Sequence, residues 1–465
     1  MAMNKAKRSL YNLVYSFLGQ IITVCLGFML PRLFVVNYGS EVNGLLNSLS
    51  QIFVYMGLFE AGIGAVSLQA LYNPVATKDH ERINGILAAT HKYYKRTGTL
   101  YFFSLLALSL LYPLAVKSEL SYGTVCFVIL FYGMSNVILF FFQGKYKILL
   151  QAEGKNYIII NLSTIVTIGT SIAKIVCIYL NLNIVLIMAT TFAINMLQAI
   201  FIMCYIHRKY RWLHLDVIPD LQAINQKNAM LIHQLAGMIF QNTDVLILTF
   251  VCDLKAVSVY SMYKLVVMNV SNILNLGINS VGFAFGQIYS TNKERFKKII
   301  DIFETYYSAV AFSVFVVVLC LYTPFMKLYT ANVTDINYVD IYLPWLFVLI
   351  ELLTVMRTPM LNTINYAGHF KATLSRTIIE TIINLGVSLF MVFVIGIPGV
   401  LIGTITALLY RTTDIIIYTN KKILDRTPMK TFFIYLIDIG LFVLLYSVFC
   451  HIGLAAGDSY IKLLY

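Results

Sequence analysis

Apolar runs long enough to span a membrane recur along the whole of this 465-residue chain, and no other feature constrains its fold so tightly. A hydrocarbon core about 30 Å thick takes about 20 residues of helix to cross. Roughly thirteen such runs stand out by hydropathy. Six lie near 10–35, 43–71, 98–116, 121–143, 157–180 and 184–206. Six more lie near 229–251, 257–289, 305–328, 339–363, 373–395 and 398–419, with a last one over 431–452. A backbone in lipid must satisfy its own hydrogen bonds, and runs this long exclude barrel strands. The expected fold class is therefore all-α, a polytopic membrane protein. With 59% of the residues hydrophobic and 12% charged, a soluble alternative has too little polar surface.

The runs also repeat. Val257 to Val281 falls against Val42 to Val66, so that Gly277, Ile278 and Val281 meet Gly62, Ile63 and Val66. After a two-residue gap, Glu294 and Arg295 meet Glu81 and Arg82, and Tyr306 and Tyr307 meet Tyr93 and Tyr94. The match returns where Asn365 and Gly368 face Gln151 and Gly154, and Val400, Leu401 and Ile402 face Val185, Leu186 and Ile187. This predicts two homologous six-helix lobes, 1–210 and 229–420, joined by a linker over 211–228, with an extra C-terminal helix and tail over 421–465. An even number of spans per copy inserts both in the same orientation, a parallel repeat of the kind transporters use.

Basic residues mark one side of the membrane. Lys5, Lys7 and Arg8 precede the first run, which is too long for a signal peptide and lacks a cleavage site. Alternate connections carry Lys78, Arg82, Lys92, Lys95 and Arg96; Lys145, Lys147 and Lys155; and Arg208, Lys209, Arg211 and Lys227. The pattern continues with Lys293, Arg295, Lys297 and Lys298, then Lys371, then Lys421, Lys422, Arg426 and Lys430. Only Lys117, Lys255, Lys327 and Lys462 fall on the opposite side. The positive-inside rule makes the N-terminus cytoplasmic. The net charge of +13 then reflects topology and attraction to anionic lipid, and implies no nucleic-acid partner.

Catalytic chemistry finds little support. The seven cysteines and seven histidines show no metal-ligand or redox spacing, and there is no phosphate-binding Gly-x-x-x-x-Gly-Lys loop. Nothing calls for a cofactor or a metal, and the short connections leave no room for a catalytic domain.

The Leu30–Phe53 stretch LPRLFVVNYGSEVNGLLNSLSQIF, the FEAGIG turn at Phe59–Gly64 and the charged connection after it resemble the bacterial polysaccharide transporter family. Its members are flippases for lipid-linked O-antigen, capsule or exopolysaccharide repeat units. They sit in a superfamily that also holds lipid II flippases and multidrug and toxic compound extrusion antiporters. The resemblance implies a V-shaped bundle of two six-helix lobes whose central cavity opens alternately to each side. It implies a non-enzymatic protein of the bacterial plasma membrane that moves undecaprenyl-diphosphate-linked oligosaccharide from the inner to the outer leaflet. The partners it implies are membrane lipids, coupled protons or sodium ions, and polysaccharide polymerases or glycosyltransferases. Cation-coupled multidrug antiport is the alternative within the superfamily, and a scaffold for glycosyltransferases is a third class. The family usually has twelve or fourteen spans, so thirteen leaves the side of Tyr465 open.

Charges inside the runs are the candidate site residues, because one at the centre of a spanning helix costs about 2.5 to 3.5 kcal/mol. Arg376 with Glu380 and Arg411 with Asp414 are spaced to pair on their own helix faces. Arg32, Lys174, Lys264 and Arg357 have no acid one turn away, so another helix, water or an anionic substrate must face them. Lys264 shares a face with Asn275 and Asn279, Asn272 lies close to it, and Arg357 precedes Pro359. These cations are candidates for a diphosphate, and Asn272 and Asn275 for sugar hydroxyls, with Asn43, Asn47 and Gln51 forming a second amide stripe. The acids Glu60, Asp244 and Glu351 are candidates for ion coupling, against a cross-helix bridge such as Glu351 to Lys264; Asp438 is likewise locally unpaired. Gly62, Gly64 and Gly277 read as packing or hinge positions, Gly154 and Gly368 as turn residues.

Overall fold

A computed structural model describes residues 5–57, 63–153, 155–224 and 242–452. Among the described residues the regular structure is entirely helical, with no strand. Nine helices among them are long and apolar enough to cross a membrane. The other expected runs, the first, second, seventh and eighth, each include residues or side chains outside the described set. The chain is a multi-pass membrane protein of all-α class.

Two compact units divide it, Met1–Gln241 and Asn242–Tyr465. The first holds α1 (Lys5–Met56), α2 (Ile63–Thr77), α3 (His80–Ala115), α4 (Tyr122–Ile138), α5 (Gly144–Ala152), α6 (Asn156–Tyr179) and α7 (Ile184–Lys209). The second holds α8 (Asn242–Val251), α9 (Leu254–Thr291), α10 (Lys293–Tyr329), α11 (Leu343–Ala367), α12 (Phe370–Ile395), α13 (Ile397–Lys422) and α14 (Met429–Ile452).

The repeat shows in how these helices begin and break. Past the expected first span, 10–35, α1 is interrupted at Gly39, where φ 84° and ψ 168° form a conformation that glycine adopts readily. At the repeat offset the second unit breaks instead beside Asp253, whose carboxylate accepts from the Ala256 N–H at 2.6 Å and caps α9. Asp79 and Asn292 are likewise equivalent caps, accepting from Arg82 N at 3.0 Å and Arg295 N at 2.9 Å, each with a glutamate in the first turn behind it. Gly368, at φ 70°, closes α11 in the left-handed conformation expected of a turn residue; Gly154 lies outside the described residues. Beside it, Glu153 pairs with Lys155 at 2.5 Å, and Lys155 donates to the Tyr210 hydroxyl at 2.9 Å. Burial and the Glu153 carboxylate push that hydroxyl up to about 12, so it remains protonated and donates to Glu153.

In the first unit α4 packs on α3 and α7, α6 on α7 and α1, and α2 on α3 and α5. In the second, α13 packs on both α11 and α12, and α10 on α9, α11 and α14. The α12–α13 contact is close because Gly399 and Gly403 stand one turn apart on one face. A Cβ at Gly403 would sit 2.1 Å from Ser388 Oγ and 2.6 Å from its backbone N, and one at Gly399 2.4 Å from the Met391 carbonyl. This is small-residue packing of the kind that substitutes for a hydrophobic driving force in lipid. The last helix is tied on by charge. Glu304 of α10, fully buried, accepts from Arg426 Nη2 at 3.0 Å and from the Tyr435 hydroxyl at 3.1 Å, while Asp301 pairs with Arg426 and Lys430.

Candidate functional site

The charged residues expected to lack local partners fall into three settings. In the second unit, α11, α12 and α13 share one chain of ion pairs. Arg357 donates to Glu380 at 2.7 Å; Glu380 also faces Arg411 at 3.4 Å; Arg411 pairs with Asp414 at 2.7 Å; and Asp414 pairs with Arg376 at 2.9 Å. Arg411 and Glu380 are buried, their side chains 4% and 5% exposed. Thr377 accepts a further bond from Arg411 at 3.2 Å. The own-face pairing expected of Arg411 with Asp414 is present. The pairing expected of Arg376 with Glu380 is not: Arg376 turns to Asp414 on α13, and Glu380 is taken by the arginines of α11 and α13. A carboxylate between two guanidinium groups, close to both, is bound more strongly than by its i−4 neighbour alone. Arg357, expected to face another helix, water or substrate, faces another helix.

The second setting joins α8, α9, α11, α12 and α13. Asp244 accepts from the Tyr260 hydroxyl at 2.8 Å and from Thr404 at 3.2 Å, and Asn384 donates to Thr404 at 3.0 Å. Glu351 accepts from Ser271 at 2.5 Å. Lys264 lies over the Tyr260 ring, 5.5 Å from its centroid, with no direct ion pair among the described residues. The direct Glu351–Lys264 bridge considered from sequence does not form. Asn272 and Asn275 are exposed on α9, while Asn269 bonds back to the Leu265 carbonyl at 2.8 Å; the side chain of Asn279 lies outside the described set.

The third setting is a cavity of about 340 Å³ inside the first unit, walled by α4, α6, α7 and the π-helical turn Leu139–Gln143 between α4 and α5. Lys174 lines it. The same cavity is lined by Asn136, Gln143, Asn195 and Gln198, which carry carboxamides, and by Tyr132, Ser135, Thr170 and Thr191, which carry hydroxyls. Asn195 donates to Ser135 at 3.2 Å, and Asn136 to the Tyr101 hydroxyl at 3.0 Å, so two of the amides are held in place by neighbouring helices. Among the described residues no acidic side chain lines the cavity, and none pairs with Lys174. Arg32 is half-buried on α1 beside Pro31, and Glu60 and Gly62 lie outside the described residues. In the amide stripe of α1, Asn47 bonds back to the Asn43 carbonyl at 2.8 Å, and Gln51 Oε1 is buried with no partner among the described residues.

The four cavity amides were not singled out by sequence. Asn195 and Gln198 did carry a signal, being polar at i and i+3 in an apolar helix. The π turn carried a weaker one. Extra residues in a helix re-aim the side chains beyond them, and here the turn ends on Gln143, with Gly144 packed so closely on the Tyr94 ring that a Cβ would lie 2.7 Å from it.

The fold is shared with solved structures of membrane transporters. The chain aligns with the structure of the lipid II flippase MurJ in an inward closed conformation at TM-score 0.70, with 12% identity over 94% of this chain and 98% of that one. It aligns with an inward-facing multidrug resistance MATE family transporter of the MOP superfamily at TM-score 0.63, with 16% identity over 85% and 94%. A mutant of the Vibrio cholerae MATE transporter VcmN aligns at 0.51, with 14% identity over 87% and 95%. No protein-family description and no curated protein sequence matches the chain.

Proposed function

We propose that this protein is a flippase that carries undecaprenyl-diphosphate-linked oligosaccharide from the inner to the outer leaflet of a bacterial plasma membrane, its N-terminus on the cytoplasmic side. The observation that carries the reading is the Lys174 cavity. A pocket with one cation, four carboxamides and several hydroxyls, and no carboxylate among its described wall residues, suits anionic and hydroxyl-rich cargo and repels cationic drugs. The shared fold with a lipid II flippase and the resemblance of Leu30–Phe53 to polysaccharide transporters support it. Arg32, Lys264 and Arg357 remain proposed contacts for the diphosphate, although Arg357 must then exchange or share Glu380. Asn272 and Asn275, exposed on α9, remain proposed sugar contacts.

Asp244 and Glu351 favour a second reading, cation-coupled multidrug antiport, since carboxylates inside spanning helices are suited to carrying protons or sodium ions. In the flippase the same pair, with Glu60, serves as the proposed coupling group. Deleting the gene separates the two. The flippase predicts lipid-linked repeat units accumulating in the membrane and loss of surface polysaccharide; drug sensitivity with normal polysaccharide would establish the antiporter instead.

A further inference from the structure

We infer that the cavity of the first unit is a subsite for an acidic sugar, a pyranose bearing one carboxylate, with Lys174 as the counter-charge and Gln143, Asn136, Asn195 and Gln198 as its hydroxyl partners. This rests on the flippase reading and names the class of sugar carried.

The cavity's volume of about 340 Å³ is at the small end of ligand pockets, enough to hold one sugar ring within its walls. Its polar groups are mostly carboxamides, which both donate and accept, as a ring of hydroxyls requires. Its formal charge is a single ammonium. A diphosphate carries more negative charge than one lysine balances and is usually met by several cations or by the paired donors of arginine, whereas a lone carboxylate needs only one.

The geometry also explains why Lys174 has no ion-pair partner among the described residues. Lys174 is half-buried within a spanning helix, where a cation without an ion-pair partner is costly. The second unit removes that cost with Glu380, but no acid stands anywhere on α6, the corresponding helix. An occupied cavity supplies the missing charge from the ligand. The π turn contributes as well, because it brings Gln143 into the wall at the sequence position that Arg357 occupies in the second repeat. Exchanging a guanidinium for a carboxamide there keeps the cavity at one positive charge.

The test uses the purified full-length protein in detergent and measures acetylation of Lys174 by acetic anhydride, followed by mass spectrometry, with glucuronate, glucose or inorganic pyrophosphate present. Glucuronate is expected to slow Lys174 acetylation at least tenfold at a concentration where glucose does not, leaving Lys92 unaffected. Calorimetry should then show glucuronate binding weakened at least tenfold by Lys174→Gln and retained by Lys174→Arg. Protection by pyrophosphate but not by glucuronate would overturn the acidic-sugar assignment in favour of the carrier's diphosphate. Absence of protection by all three would overturn the site. Protection is read on the unsubstituted protein, so a poorly folding variant does not stop the test. The deletion phenotype is read separately: accumulation of lipid-linked units without Lys174 protection removes this subsite and leaves the flippase, and protection with a drug-sensitivity phenotype does the reverse.

Discussion

The two units treat equivalent helices in opposite ways. At the offset that pairs Gly154 with Gly368, Gln143 stands where Arg357 does, and at the offset that pairs Val185 with Val400, Met196 and Ala199 stand where Arg411 and Asp414 do. The second unit fills the space among α11, α12 and α13 with a continuous chain of three arginines and two acids. The first leaves a cavity among α4, α6 and α7, with one lysine and a set of amides on its wall. Both also carry an irregular feature in the same stretch of helix, the second Pro359 within α11 and the first the π turn. The repeat keeps its backbone frame while the interior chemistry differs: the second unit pairs Arg357, Arg376 and Arg411 with acids of its own, and the first leaves Lys174 without an ion-pair partner among the described residues.

That contrast is most exposed at Arg411. Its guanidinium serves two carboxylates in a site 4% open, so Arg411→Ala leaves Glu380 and Asp414 under-compensated and should cost about 3–5 kcal/mol. Thermal unfolding in detergent and abundance in the membrane measure it, and Arg411→Ala with Asp414→Ala should recover part of the loss. An unchanged unfolding midpoint would show that the ion-pair chain does not hold the second unit together.

A smaller effect is expected where α12 and α13 touch. Gly403→Ala places a methyl group against the backbone of Ser388 and must push the helices apart, at a cost of about 1–3 kcal/mol by the same unfolding measurement. The nearby Asn384–Thr404 bond and the Asp244 contacts should loosen with it, which hydrogen exchange on α8 would detect.

Arg376 lies at the open end of the network, a third exposed, and its pair with Asp414 should be worth less than about 1 kcal/mol. Arg376→Ala should therefore leave abundance near normal. A loss as large as that from Arg411→Ala would mean the chain of pairs acts as one unit and not through its buried centre.

The smallest structural effect is expected from Lys174→Ala in the first unit. The lysine has no ion-pair partner among the described residues to strand, so the unfolding midpoint should stay the same or rise slightly while transport is lost. A marked fall in stability would place a structural partner opposite Lys174 and erase the difference between the units.

Much of this architecture is legible along the chain. Hydropathy marks the spanning helices because a segment in lipid must be apolar around its whole circumference and closes its own hydrogen bonds within four residues. The caps at Asp79, Asp253 and Asn292 are local for the same reason: the acceptor side chain and the N–H it satisfies are three residues apart. The repeat, too, is a property of the sequence alone. What the sequence left open was the choice of partner between helices. Spacing offered Glu380 to Arg376, and Arg357 had no acid within reach, yet the rotation of α12 against α11 and α13 gave Glu380 to Arg357 and Arg411 and sent Arg376 to Asp414. Spacing likewise placed Lys174 and Gln198 on different helices with no sign that they share a cavity. Helix periodicity says which side chains share a face of one helix. Only packing, through glycine contacts such as Gly403 on Ser388 and the register they impose, decides which faces meet and which charge finds which partner.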